Sequence, residues 1–305
     1  MVDFNVLTPG TVSELLTDIE NNQSGDFRFG AGLTDLLLEL RKQSGSKINI
    51  INLSNISDEF FSEITKTEDY IRIGSLVTAA EITGNEEIRT IFPVFHKAAE
   101  SLASRQIRQV ATVGGNICTA SPAGDISTSL VALEAFCEIL SSKNQLREVP
   151  ISEFFTGVRR TVLNKDEILR RVKIPIKSNN NKIISDFIKI GTRRSMECSV
   201  VSLAYHFILD DGDNVIHAGI AIGSSAPVIK FTRSACDYLI GKNFNGFNPE
   251  DIEIFAQKVL KYASPISDIR GSAWYRKQVL FNISKSILER DGVDKVDFLS
   301  ITLIK

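Results

Sequence analysis

Apolar residues recur along this chain in two rhythms. Over 11–20, Leu15, Leu16 and Ile19 share one helical face, and Thr11 or Ser13 stands ready to cap it. Phe27-Arg28-Phe29 and Ile48-Asn49-Ile50-Ile51 read as short strands flanking a helix over 35–42, a strand–helix–strand unit. Further on, the pattern predicts a strand over 70–74, a helix over 96–103, and a strand over 168–174 that Pro175 stops. The second half opens with strand patterns at 183–190, 200–209 and 215–223. Asp211-Gly212-Asp213 marks a hairpin turn between the last two. Helices are predicted over 249–262 and 273–289. Strands followed by helices spell an α+β class.

A polar stretch, Lys177-Ser178-Asn179-Asn180-Asn181-Lys182, has no apolar surface to bury and reads as a linker. The expected organisation is therefore one domain over 1–177, a second over 183–290, and a tail over 291–305. The length of 305 residues agrees with two domains, at about 150 residues each.

Composition narrows the function classes. Hydrophobic residues are 43% and charged residues 24%, which excludes disordered and fibrous chains. A formal charge of -2 is a poor footprint for nucleic acid. No apolar run approaches the ~18 residues of a membrane span. Met1-Val2-Asp3-Phe4-Asn5 lacks the features of a secretory leader, so a cytoplasmic location is expected. Cys118, Cys137, Cys198 and Cys236 form no C-x-x-C pair, and His96, His206 and His217 are scattered. No metal site is expected on this chain, and the cysteines are expected to be buried small hydrophobes.

Two glycine-bearing loops could carry chemistry. The first, Phe29-Gly30-Ala31-Gly32-Leu33-Thr34-Asp35-Leu36, joins a strand to a helix, where small residues admit a ligand to the main chain and N–H groups face an anion. G-x-G alone is a common turn, and G-x-G-x-x-G is absent. The second, Ala111-Thr112-Val113-Gly114-Gly115-Asn116, is richer: adjacent glycines are expected to present consecutive N–H groups as an anion nest. Cys118, Thr119, Ser121 and Asp125 follow it, Asp125 reading equally well as a hydroxyl acceptor or as the cap of a helix from Ile126. No P-loop lysine follows the glycines, so a bound diphosphate that does not react fits better than a nucleoside triphosphate.

Three segments together carry a family resemblance. Ala31-Gly32-Leu33-Thr34-Asp35 is similar to A-G-G-T-D, and residues 106–117 resemble Q-I-R-N-x-A-T-x-G-G-N-I. Asp268-Ile269-Arg270-Gly271-Ser272-Ala273-Trp274-Tyr275-Arg276 resembles D-x-R-G-S-A-x-Y-R. The chain thus resembles the FAD-binding medium subunit of the molybdenum hydroxylases, the xanthine dehydrogenase and carbon monoxide dehydrogenase family. The resemblance implies a two-part FAD-binding domain of the vanillyl-alcohol-oxidase type, followed by a three-stranded antiparallel sheet with helices. It also implies that both glycine loops hold the diphosphate of non-covalent FAD, with Cys118, Ser121 and Asp125 lining the flavin or its ribityl chain. Leu169 and Lys189 match positions at the isoalloxazine ring.

The resemblance further implies separate partners: a large subunit with the molybdenum cofactor and a small subunit with [2Fe-2S] clusters. Electrons would pass from a cluster through FAD to NAD+ or another acceptor. A self-sufficient FAD oxidase and a flavin-free assembly subunit are the alternatives. Two departures stand out. Leu33 replaces the usual second glycine, which predicts a non-glycine conformation there, and Gln109 replaces the usual asparagine. The C-terminal motif reads as an ion-pair network of Asp268, Arg270 and Arg276 around Ser272 as a helix cap.

Overall fold

The computed structural model describes residues 4–42, 47–177, 181–193 and 196–289. Part of the expected linker, 178–180, and the tail 291–305 lie outside the described residues.

The chain begins with a small parallel sheet. Strand β3 (Ile48–Asn52) sits between β1 (Phe4–Leu7) and β2 (Phe27–Gly30). The β2–helix–β3 passage is the parallel unit read from the sequence, although its helix, Leu36–Leu40, is shorter than expected. Thr11 caps the helix Val12–Asn22 by accepting from the Glu14 N–H, which turns Leu15 and Ile19 into the core.

A five-stranded antiparallel sheet follows, in the order β4 (Ile64–Lys66), β5 (Tyr70–Gly74), β10 (Glu167–Pro175), β6 (Phe136–Ser141) and β7 (Leu146–Pro150). A bulge in β10 between Leu169 and Arg171 aims both Arg170 and Arg171 at Glu138 of β6. A small hairpin, β8 (Phe155–Gly157) with β9 (Arg160–Thr161), lies before β10.

The second half builds an antiparallel sheet from β11 (Lys182–Ile190), β12 (Val201–Leu209) and β13 (Val215–Gly223). Every residue of β12 is buried, as a central strand covered on both faces requires. Beyond the three strands expected, a two-residue strand β14 (Lys230–Phe231) extends the sheet, and an unexpected helix, Arg233–Leu239, follows it. The helices Pro249–Leu260 and Ala273–Ser286 then cover one face, with Phe207, Phe255 and Leu280 at the centre of that core.

The largest apolar cluster crosses between the halves: Ile73, Phe95 and Leu130 share it with Phe187, Ala204 and Ala221. One helix is displaced from its expected place. It spans Pro93–Glu100 rather than 96–103, because Pro93 fits the first helical turn, where no N–H partner is lost, and Ala103 takes a φ of 42°.

The ion-pair network of the C-terminal motif is present. Ser272 caps the last helix, accepting from the Tyr275 N–H at 3.1 Å. Asp268 accepts from Arg276 at 2.7 Å and lies 3.7 Å from Arg270. Arg276 is buried and also donates to the Val200 and Ser224 carbonyls.

Candidate functional site: a cleft between two glycine loops

The two glycine loops meet. Gly32 packs so closely on the other loop that a Cβ there would sit 1.8 Å from the Val110 carbonyl oxygen. Gly114 packs on Ser75, where a Cβ would sit 2.6 Å from the Ser75 Cβ, and the Ser75 carbonyl accepts the Gly114 N–H at 2.8 Å. Between the loops lies an open cleft of about 110 Å³. Phe29, Gly30 and Ala31 of the first loop line it, opposite Thr112, Gly114 and Gly115 of the second. Cys118 and Leu169, both expected at the site, reach it as well. Leu53, Ser75, Leu76, Leu163 and Ile168 complete the wall and were not singled out from the sequence. A larger hollow of about 250 Å³, bounded by Glu59, Phe60, Arg72 and Arg171, contains no residue of either loop.

The loops differ in what they offer. Among the described residues, the main-chain N–H groups of Ala31, Gly32, Leu33 and Thr34 donate to no partner. The second loop does not form the expected nest. Val113 N donates to the Val77 carbonyl, Gly114 N to Ser75, and Asn116 N to Thr112. Gly115 N donates to the Thr112 hydroxyl at 3.0 Å. The physical reason is that Thr112 caps a helix, Val113–Cys118, and claims the Gly115 amide, while the packing of that helix on Ser75 claims the Gly114 amide. The second loop supplies shape, and the first supplies unclaimed donors.

Leu33 corrects a second expectation. Its φ is 57°, the left-handed conformation that glycine favours, and not a separate non-glycine solution. Gly30 makes this workable. The Leu33 side chain folds over it, reaching within 2.4 Å of where a Gly30 Cβ would lie. Asp35, at the end of the loop, lies 3.7 Å from Arg159, which also pairs with Glu39.

Two expected site residues turn to each other. Asp125 is not a cap: Gly124 holds that position, and Asp125 sits within the first turn of the helix Asp125–Ala132. Its carboxylate is buried and accepts from Lys189 Nζ at 2.6 Å and from Ser199 Oγ at 2.8 Å. Lys189 also donates to the Ser101 carbonyl at 3.0 Å. Burial pushes the Asp125 carboxyl up, against the pull of Lys189 and Ser199. Neither Asp125 nor Lys189 lines the cleft. Asn116 and Ser121 are likewise engaged: Asn116 Oδ1 accepts from Ser127 N and Oγ, and Ser121 Oγ accepts from Ala123 N.

The cysteines divide. Cys137 and Cys236 are buried as expected, but Cys118 and Cys198 are exposed. Cys118 faces the cleft, and the protein atoms packed around its sulfur push the thiol up to about 12. Among the described residues, no group of His, Cys, Asp and Glu could hold a metal.

A hydroxyl, rather than a charge, is the least satisfied group of the wall. Ser75 is 4% exposed, and its Oγ has no hydrogen-bond partner. A narrow cleft with free amides, an unpaired hydroxyl and an aliphatic wall fits a ligand that is anionic at one part and apolar at another. FAD has both.

Family comparison agrees. Residues 2–177 match the family model described as the FAD binding domain in molybdopterin dehydrogenase, and residues 186–290 match the CO dehydrogenase flavoprotein C-terminal domain. The chain belongs to the FAD-binding medium-subunit family of xanthine and carbon monoxide dehydrogenases. It is an oxidoreductase subunit whose cofactor is FAD.

Family members with similar sequences include the xanthine dehydrogenase FAD-binding subunit of Escherichia coli O157:H7, 31% identical over 260 residues, covering 85% of this chain and 86% of that one. The glyceraldehyde dehydrogenase medium chain of Sulfolobus acidocaldarius is 27% identical over 278 residues, covering 91% and 94%. In fold, the chain resembles a chain of the carbon monoxide dehydrogenase structure from Hydrogenophaga pseudoflava, with a TM-score of 0.84 at 23% identity, over 93% of this chain and 95% of that one. Among the described residues, no helix is long and apolar enough to cross a membrane.

Proposed function

We propose that this chain is the electron-transfer flavoprotein subunit of a molybdenum hydroxylase. A cytoplasmic large subunit would carry the molybdenum cofactor, and a small subunit the [2Fe-2S] clusters. The chain would take electrons from a partner's cluster and deliver them to NAD+ or another acceptor. The reading includes an FAD-binding domain of the vanillyl-alcohol-oxidase type over 1–177 and a flavoprotein C-terminal domain over 183–290.

The observation that carries this reading is the contact between the loops. Gly32 against Val110 turns two distant segments into one cleft with free amides on one side. When bound, FAD supplies both one-electron and two-electron chemistry, so the protein needs no acid, base or nucleophile of its own. The work of the chain is placement. The N–H groups of residues 31–34 hold the diphosphate, and Gly114 and Gly115 let it approach the backbone. Leu169, with Leu53 and Ile168, presents an apolar wall that excludes water from the flavin. Asp125 and Lys189 brace this arrangement from behind by joining the two halves.

The test is direct. The purified protein should be yellow and release FAD in acid at about one per chain. Colourless protein that never takes up added FAD would refute the reading. Bleaching of the bound flavin by NADH would support NAD+ as the acceptor.

A further inference from the structure

We propose that Ser75 is an additional cofactor-positioning residue, its hydroxyl donating a hydrogen bond to FAD in the cleft. The inference rests on the function proposed above and goes beyond the residues that the motifs point to. Nothing in the sequence marks Ser75, which follows Gly74 at the end of β5.

Three observations carry it. First, the Ser75 main chain is pinned on both sides. Its N–H donates to the Arg170 carbonyl at 3.0 Å, and its carbonyl accepts from Gly114 at 2.8 Å. The side chain therefore leaves from a fixed point in the wall, directly against the second glycine loop. Second, its Oγ is buried and has no partner. A buried hydroxyl without a partner loses its water without compensation, so native structures keep few of them. Third, the side-chain oxygens of the other polar residues near the cleft already accept bonds within the protein. Thr112 Oγ1 accepts from Gly115 N, Asn116 Oδ1 from Ser127, and Ser121 Oγ from Ala123. Those oxygens hold the protein to itself, whereas the Ser75 hydroxyl is unpaired in a residue that lines the cleft.

The chemistry follows from the position. Ser75 shares the cleft wall with Leu169 and Ile168, which are apolar, with Gly114, whose amide donates to the Ser75 carbonyl, and with Gly115, whose amide donates to the Thr112 cap. On this side of the cleft the Ser75 hydroxyl offers a side-chain donor, without a partner of its own, to an acceptor atom of the flavin nucleotide. A rigid donor aimed at one atom fixes orientation as well as affinity.

The experiment uses the full chain stripped of FAD and titrated with FAD, with flavin fluorescence and the visible spectrum as readouts. Ser75→Ala is expected to bind FAD about tenfold more weakly, the ratio that one lost hydrogen bond gives. The vibronic structure of the flavin band should blur as the ring loses its fixed contact. The FAD-free Ser75→Ala protein should be as stable as the parent, or slightly more so, because a buried unpaired hydroxyl has gone. Ser75→Cys, close in size but a weak donor, should fall between the two. If the parent binds FAD and Ser75→Ala binds it equally well, this inference is overturned while the proposed function stands. Ser75→Ala destabilising the FAD-free protein would also overturn it, since the hydroxyl would then serve the fold. If the parent never binds FAD, the proposed function fails first.

Discussion

The cleft and the seam between the two halves treat polar groups in opposite ways. At the seam, everything with charge finds a partner. Asp125 takes Lys189 and Ser199; Glu134 holds Lys177 and lies within ion-pair reach of His217 and Arg233; His206 shares Ser185 with the Val94 N–H. At the cleft, the amides of first-loop residues 31–34, of which Ala31 lines the wall, and the Ser75 hydroxyl are left without partners. The difference separates bracing from binding. Polar groups that hold a fold together must be satisfied in its absence of ligand, while groups meant for a ligand stay unpaired until it arrives. Asp125 and Lys189, which the resemblance places at the flavin, pair with each other at the seam.

The largest effect should come from the seam. Lys189→Met leaves the Asp125 carboxylate buried without its cation and should cost about 3 kcal/mol, read as a lower urea midpoint. The comparison breaks if stability is unchanged and the flavin spectrum shifts instead, for then Lys189 would face the ring.

A glycine tests the cleft. Gly32→Ala drives a methyl into the Val110 carbonyl and should cost about 2 kcal/mol of stability together with most of the FAD affinity. Gly115→Ala meets only the movable Thr112 hydroxyl, at 2.9 Å, and should cost well under half as much. Equal losses in the two variants would mean that the loops do not divide the work as described.

The smallest effect, read per unit of pH, is again at the seam. Burial pulls the His206 imidazole down to about 3, and His217 and Lys177 push it the same way. His217 is drawn down to about 4, by burial and then by Lys177, with Glu134 opposing and Arg233 assisting. Both folded values lie below the ordinary value of about 6.5, so the unfolded chain binds more protons between them. Stability should therefore fall as pH drops from about 6.5 toward 4, by up to about 1.4 kcal/mol per pH unit for His206. The solvent-touched His217 should contribute less. Urea midpoints measured across that range should flatten in His206→Phe. An unchanged slope would show that the seam histidines are already charged in the folded protein.

How much of this was legible in the sequence depended on how local each cause is. Strands β11 to β13 and the caps Thr11 and Ser272 follow from periodicity and one side chain each, and they stand where expected. The β6–β7 hairpin went unread because β6 is buried almost throughout and carries Glu138 in its middle. That carboxylate is tolerable only because a bulge in a distant strand brings two arginines to it. The second loop shows the same limit at the site. Its glycines suggest an open nest, yet Thr112 three residues before Gly115 is also a helix-cap spacing, and the cap prevails. Leu33 was visible as a departure, but its accommodation depends on Gly30 beneath it. For Ser75 there was no local signal. A hydroxyl becomes conspicuous only when the neighbours that might have satisfied it are seen to be occupied.

The seating of Gly32 on the Val110 carbonyl has a kinetic corollary. Two bends packed this closely resist spreading apart like jaws, which predicts that a nucleotide enters and leaves by sliding along its own length. Residence time should then depend on the mobility of the residues at the cleft's mouth, and a lid would be unnecessary for slow release.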